Sequence, residues 1–253
     1  MDNDDQKNLL TEHLMFTDGS SLGNPGPGGW GTVLVLLGER IMELGGGVKQ
    51  TTNNRMELQA LIEGLRRMEH ESGDLKIFTD SKYVHLGATE WADGWKRRDW
   101  KTMAKADVEN RDLWEDALGL LEDRKKFGHI SWKRVPGHSG VVGNERCDAI
   151  ATGFAFAMQS NKEIPELFEG DLGDYAVDIL NISIDEAALE KRAAAKARAK
   201  IKAYSYVSKV GGNVMVHNTW SECEARVKGK KAQFQKVASK EEEMLLVEKW
   251  GQK

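Results

Sequence analysis

The tripeptide Phe-Thr-Asp occurs twice, as Phe16-Thr17-Asp18 and Phe78-Thr79-Asp80. Each copy closes a short apolar run, 13–17 and 75–79, with the length and composition of a buried strand. Two carboxylates therefore stand where two strands end, which is where open α/β sheets carry their chemistry. Two further acids fall near the starts of expected helices: Glu57 after Thr51-Thr52-Asn53-Asn54-Arg55-Met56, and Asp148 after Asn144-Glu145-Arg146-Cys147. Clustered carboxylates with no cation built among them repel, and hard oxygen ligands select Mg²⁺ or Mn²⁺. This donor set suits two-metal phosphodiester chemistry, in which ions about 4 Å apart activate a water and stabilise the leaving oxygen. Taken singly, Asp18 also suits a turn before Gly19, Asp80 a helix N-cap, and Asp148 an exposed helix position.

The periodicity predicts an α/β order. Strands are expected at 13–17, 29–37 and 40–48, the last two joined by a hairpin turn at Gly38-Glu39. A helix follows over 54–70 with Leu61, Leu65 and Met68 on one face, and Glu57 points to the core side near its start. Then come a strand at 75–79, a short helix at 81–87, a helix at 110–124, a strand at 129–136 and a helix at 142–158. Gly23 to Gly29 lacks the Gly-Lys-Ser/Thr of a phosphate-binding P-loop, so it reads as a turn that presents Asn24. Trp91, Trp95 and Trp100 alternate with Lys96, Arg97, Arg98 and Lys101. That pattern suits a nucleic-acid groove, although all three tryptophans also suit a plain core, Trp91 and Trp100 above all.

Composition then breaks. Residues 160–190 hold nine acids against one lysine, and 191–202 hold six Lys or Arg and no acid, so the net charge of −4 averages opposite patches. A mildly acidic total does not exclude nucleic acid, because local basic surface decides that. The expected organisation is a polar tail at 1–12, a catalytic domain at 13–159, an acidic linker and charged helical spacer at 160–202, and a small α/β domain at 203–253. The two cysteines, Cys147 and Cys223, lack metal-ligand spacing and read as reduced thiols. The N-terminal residues resemble neither a signal nor a transit peptide, and no apolar run approaches the ~18 residues of a membrane span. A cytoplasmic protein is the expectation.

Five blocks now combine. Phe16-Thr17-Asp18-Gly19-Ser20, the glycine turn at 23–29, Thr51-Thr52-Asn53-Asn54-Arg55-Met56-Glu57-Leu58, Thr79-Asp80-Ser81, and Gly137-His138-Ser139-Gly140 with Asn144-Glu145-Arg146-Cys147-Asp148 resemble bacterial type 1 ribonuclease H. The resemblance covers about residues 13–158. It implies a ribonuclease H-like α/β fold with a five-stranded mixed sheet flanked by helices. It implies a monomeric catalytic domain that cleaves the RNA strand of RNA–DNA hybrids and leaves 3′-hydroxyl and 5′-phosphate ends. Asp18, Glu57, Asp80 and Asp148 would hold two Mg²⁺ ions, with Mn²⁺ as an alternative. His138, on a glycine-flanked loop, would aid proton transfer or product release. Tyr83, Trp95 and the cations Lys96, Arg97 and Arg98 would line the DNA-strand channel. Thr52 and Asn110 would hold a DNA phosphate, with Gln50 where arginine is common. Asn24, Asn53, Asn54 and Glu57 would read the 2′-hydroxyl that distinguishes RNA, although Asn53-Asn54 also suits a helix N-cap pair.

A second set, Tyr206-Val207-Ser208-Lys209-Val210-Gly211, Thr219-Trp220-Ser221-Glu222-Cys223 and Phe234-Gln235-Lys236, is similar to the hybrid-binding (viroplasmin-like) domain of eukaryotic type 1 ribonucleases H. It implies hybrid contacts from Tyr206, Trp220, Phe234 and Lys236, with Gln235 where a second lysine is usual. A protein-docking module is the alternative for this domain. For the whole chain the alternatives are a DNA-processing enzyme of the same fold and a non-catalytic hybrid-binding protein.

Overall fold

Alternation along the apolar runs decides which side chain meets which layer. The computed structural model describes residues 10–137, 139–160 and 163–251. The chain divides after Leu189 into two compact units, each described by itself. In the first, β1 (His13–Ser21), β2 (Gly26–Leu36) and β3 (Arg40–Thr51) form an antiparallel meander. The expected hairpin turn is present, with Gly38 and Glu39 at φ of 89° and 61°. β4 (Leu75–Thr79) lies parallel to β1, and β5 (Ile130–Arg134) parallel to β4.

Helices α1 (Asn53–Arg67), α2 (Lys82–Leu86), α3 (Ala92–Arg97), α4 (Arg111–Arg124) and α5 (Val142–Ser160) cover the sheet. The expected short helix at 81–87 instead continues through a π-type turn, Gly87–Trp91, into α3. Met15, Leu34 and Ile77 join the core with Leu58, Leu61 and Trp114 of α1 and α4. Their neighbours Phe16, Val33 and Phe78 join the opposite core with Cys147, Ile150 and Phe154 of α5. Successive strand residues point to opposite faces, and both faces are covered, which is why these strands read as continuous apolar runs. On the α5 side β2 is thin. A β-carbon at Gly31 would lie 2.5 Å from the Cys147 carbonyl oxygen, so glycine there lets α5, and Asp148 on it, settle onto the sheet.

The expected five-stranded sheet gains a sixth strand. β6 (Glu169–Asp171) pairs antiparallel with Arg40–Met42 of β3, giving the order β5-β4-β1-β2-β3-β6. It lies in the acidic stretch expected as a linker. That stretch is anchored by Glu43, whose side chain is wholly buried in β3. Glu43 accepts two hydrogen bonds from Arg146, at 2.6 and 2.7 Å, one from the Phe168 amide at 3.0 Å, and one from the Tyr175 hydroxyl. Burial raises the Glu43 carboxyl, but these donors outweigh it and hold it below its ordinary range.

The charged stretch expected to be helical forms α6 (Glu186–Lys200). In the second unit β7 (Ser205–Val210), β8 (Asn213–His217) and β9 (Ala232–Val237) form an antiparallel sheet of order β8-β7-β9. Gly211 and Gly212 turn the β7–β8 hairpin with φ of 58° and 85°. α7 (Trp220–Val227) begins with a capping box between Thr219 and Glu222, and α8 (Lys240–Gly251) closes the chain. The buried apolar cluster is small, Val207, Val237 and Leu246. Among the described residues no helix is long and apolar enough to cross a membrane.

The Glu43 cluster gives a stability test. Arg146→Ala leaves a buried carboxylate short of its cation. The expected loss is about 1–3 kcal/mol, below the 3–5 of a fully buried pair because Arg146 is partly exposed. Urea midpoints at constant slope measure it, and Glu43→Gln with Arg146→Met should recover part of the loss.

Candidate active site

The two Phe-Thr-Asp copies lie side by side. β1 and β4 pair in parallel with Phe16 opposite Phe78 and Thr17 opposite Thr79. The two phenylalanine rings stack at 4.6 Å, and both threonines are fully buried. The next residue on each strand is the acid, so Asp18 and Asp80 emerge together at the strand ends. Glu57 comes to the same place from the second turn of α1. That approach depends on Gly19, where a β-carbon would collide with the backbone of Met56 and Glu57. One carboxylate oxygen from each of Asp18, Glu57 and Asp80 lies within 4.8 Å of the others.

The surroundings of these oxygens are unbalanced. The Gly19 amide donates to Asp18 Oδ1 at 2.7 Å, and Asn53 Nδ2 donates to Glu57 Oε1 at 3.2 Å. Glu57 Oε2 is buried and receives no hydrogen bond from the described residues. Burial, then the charges of Asp80 and Asp148, push the Asp18 carboxyl up to about 8. Burial, then Asp18 and Asp80, push Glu57 well above the usual carboxylate range. An orphaned buried oxygen beside two more carboxylates fits a divalent cation, which satisfies the lone pair and removes the repulsion.

Asp148, on α5, stands outside the group of three. It is half-buried, accepts from the Thr152 hydroxyl at 3.3 Å, and is near enough for its charge to raise Asp18. The backbone after β5 also reaches the site, since a β-carbon at Gly137 would lie 2.5 Å from Asp80 Oδ2. His138 follows Gly137 in sequence but lies outside the described residues. Asp80 is not the N-cap of α2. Ser81 is, and its hydroxyl accepts from the Val84 amide at 3.3 Å.

The other sequence-nominated residues fall into three groups. Asn24 Oδ1 accepts from the Asn53 amide at 3.3 Å, which ties the glycine turn to the start of α1. The N-cap of α1 is Thr52 rather than an asparagine, and its hydroxyl makes no capping bond. Asn53 is occupied with Glu57, and Asn54 is half-buried.

Arg55, given no role by the sequence reading, reaches Asn110 Oδ1 at 3.4 Å and pairs with Asp112 at 2.6 Å. Its position three residues after Thr52 was the available signal. Asn110 holds a left-handed conformation, φ 57°, ahead of α4. Its amide donates to the Tyr83 hydroxyl at 3.2 Å, as does the Trp114 indole at 2.7 Å.

The third group is packed as well as cavity-lining. Trp95, expected as a face for nucleic acid, is only 7% exposed and packs edge-on to Trp114 and stacked near Trp100. It also lines a cavity of about 660 Å³ shared with Tyr83, Trp91, Arg97, Arg98 and Met103. Lys96 and Arg97 are exposed and Arg98 half-buried, with its Nε on the Lys101 carbonyl at 3.1 Å.

A family model described as RNase H matches residues 11–155. The chain belongs to the ribonuclease H family. It is 50% identical over 147 residues to ribonuclease H of Herminiimonas arsenicoxydans, covering 58% of this chain and 97% of that one. Over 140 residues it is 53% identical to ribonuclease H of Rhodospirillum rubrum, covering 54% and 79%. Among solved structures it is similar to LC9-RNase H1, described as a type 1 RNase H with the type 2 active-site motif. The TM-score is 0.53 at 27% identity, covering 71% of this chain and 85% of that chain.

The second unit lies beyond the family match. On its α7 face Trp220 stands between Tyr206 and Phe234, with ring centroids 5.6 and 5.4 Å away. Trp220 and Phe234 are 40% and 53% exposed, a high value for rings that already touch. Lys236, opposite Tyr206 in the sheet, shares that face and donates to the Ile201 carbonyl at 2.8 Å. Gln235 pairs with buried Val207 and so faces the other side of the sheet.

The raised Asp18 carboxyl has a consequence for this family member. The folded protein keeps a proton on Asp18 up to about pH 8, whereas the unfolded chain releases it near its ordinary 3.8. Stability from this group is therefore full below pH 4 and is lost as pH rises towards 8. In chelator the first unit should melt progressively lower from pH 5 to 8. Asp18→Asn should flatten that slope and raise the melting temperature at pH 8 by on the order of 5 °C. Mg²⁺ should restore the unaltered protein at pH 8 and help the variant far less. Calorimetry with and without chelator measures both.

Proposed function

We propose that the chain is an endoribonuclease that hydrolyses the RNA strand of RNA–DNA hybrids, with Mg²⁺ held by Asp18, Glu57 and Asp80 and completed by Asp148. The observation that carries this reading is the buried three-carboxylate group with its unsatisfied Glu57 oxygen. Family membership supports the reaction class. When bound, divalent cations supply activation of the attacking water and charge stabilisation at the leaving oxygen. The water gives up a proton as its oxygen bonds to phosphorus, the bond from phosphorus to the 3′-oxygen breaks, and that oxygen takes up a proton, so the net change is addition of one water. The products are a 3′-hydroxyl and a 5′-phosphate. His138 assists proton transfer or product release.

The chain's own residues orient the hybrid. Asn24 and Asn54 lie by sequence and hydrogen bonding at the Glu57 end of α1, with Asn53 tying the glycine turn to the metal-holding acid. This group reads the RNA 2′-hydroxyl. Thr52 and Asn110, linked through Arg55, receive a DNA phosphate. Tyr83, Trp95, the exposed cations Lys96 and Arg97 and the half-buried Arg98 follow the DNA strand.

The decisive assay compares a labelled hybrid with duplex DNA and duplex RNA in Mg²⁺. Cleavage confined to the hybrid RNA strand is expected. Equal cutting of duplex DNA would point to a DNA-processing enzyme, and binding without cutting to a non-catalytic protein. Asp80→Asn should lose cleavage by several orders of magnitude while hybrid binding is largely kept. His138→Ala should slow single-turnover cleavage less than Asp80→Asn does. Equal loss would give His138 a more central role.

For residues 203–253 we propose hybrid binding through Tyr206, Trp220, Phe234 and Lys236. The support is the exposed aromatic row with a lysine on the same face. Aromatic stacking is worth about 1–3 kcal/mol per base, so Trp220→Ala in the full chain should weaken long-hybrid binding about tenfold or more. Titrations at two salt concentrations should show a lysine-dependent salt slope. Unchanged affinity, or no preference for hybrid over single strands, would leave a protein-docking module as the better account.

A further inference from the structure

Residues 163–185 lie beyond the family match, yet they are built into the first unit. Pro165 sits on α5, where a β-carbon at Gly153 would lie 2.6 Å from its Cγ. β6 then extends the sheet, and Phe168 and Tyr175 donate to Glu43. Glu43 also holds Arg146, two residues before Asp148 on α5. Ile179 is 1% exposed and enters the core that includes Val141, Cys147 and Ile150.

The segment ends on the β5–α5 loop. The Asp185 amide donates to the Ser139 carbonyl at 2.7 Å, and the Val142 amide donates to the Asn181 carbonyl at 3.4 Å. The first amides of a helix have no partner within it, so the segment supplies one to α5 at its first residue. Both bonds fall just after Gly137, the residue whose backbone abuts Asp80. Glu145 holds the same loop from within, accepting from the Gly140 amide at 3.2 Å.

We propose that residues 163–185 form an intramolecular brace that sets the β5–α5 loop and the first turn of α5 against the carboxylate group, with Ile179 and Tyr175 as positioning residues for cleavage. Neither residue touches the acids. They act through the loop beside Asp80 and through the helix that carries Asp148. The turnover part of this proposal rests on the nuclease reading above. The mechanical part does not.

The test uses the full chain with Ile179→Ala, Ile179→Val and Tyr175→Phe, read by amide hydrogen exchange over 139–144, by kcat and KM on a hybrid in Mg²⁺, and by melting. Ile179→Ala should speed exchange at these amides about tenfold without global unfolding. It should lower kcat about tenfold with KM within about twofold, since small misplacement at a reacting centre costs rate rather than binding. Ile179→Val should restore both, and Tyr175→Phe should move both in the same direction by less. Should Ile179→Ala fail to fold, Tyr175→Phe decides, because its exchange and kcat must then shift together while Ile179→Val leaves both near the unaltered chain. Faster exchange at unchanged kcat would overturn the positioning role, and unchanged exchange would overturn the brace. An unaltered chain that did not cut hybrid would remove the nuclease reading and the turnover part with it, while the exchange result would still decide the brace.

Discussion

The in-register parallel pairing of β1 with β4 is the constraint on which the rest depends. It puts Phe16 against Phe78 and Thr17 against Thr79, all four fully buried. A shift of one residue would turn each phenylalanine to the opposite face, so the cores on both sides of the sheet fix the register. Once it is fixed, Asp18 and Asp80 emerge together. Gly19, the next residue on β1, then lets α1 bring Glu57 close. Apolar packing thus forces three acids into a space where water cannot solvate them well. The fold is consistent with this only if something positive arrives, or if protons stay on.

A second constraint acts from the edge of the sheet. β3 would be an open edge, with unpaired backbone groups. β6 covers part of it, and the wholly buried Glu43 gathers donors from α5 and from the segment after it. The same element therefore closes an edge, satisfies a buried charge and reaches the loop beside Asp80. Stability and site geometry are coupled through α5, because that helix carries Arg146, held by Glu43, and Asp148, whose charge acts on Asp18.

Much of this was legible in the sequence, for physical reasons. Strands buried on both faces announce themselves as apolar runs, so β1, β4 and their terminal acids could be read directly. Glu57 was legible because a core-facing acid on an apolar helix face needs a partner. β6 was not legible, since Glu-Gly-Asp has neither apolar alternation nor β-branched residues, and its pairing comes from the β3 edge rather than from its own propensity. The role of Glu43 was not legible either, because its partners Arg146, Phe168 and Tyr175 come from distant parts of the chain. Whether Trp95 is core or groove was not legible, because aromatics among cations have the same composition in both. Three-dimensional packing against Trp100 and Trp114 decides which. The N-cap of α1 was misplaced by one residue, within the ordinary uncertainty of helix ends.

The central claim is that Asp18, Glu57 and Asp80 are held together at a cost that a divalent cation relieves. Titration calorimetry of Mg²⁺ binding at pH 7, repeated in buffers of different ionisation enthalpy, tests it most directly. With the Asp18 carboxyl pushed up to about 8 and Glu57 raised as well, binding should release protons, and affinity should rise with pH until they are gone. Glu57→Gln should bind far more weakly. Mg²⁺ binding with no proton release and no dependence on pH, or unchanged binding by Glu57→Gln, would contradict the account.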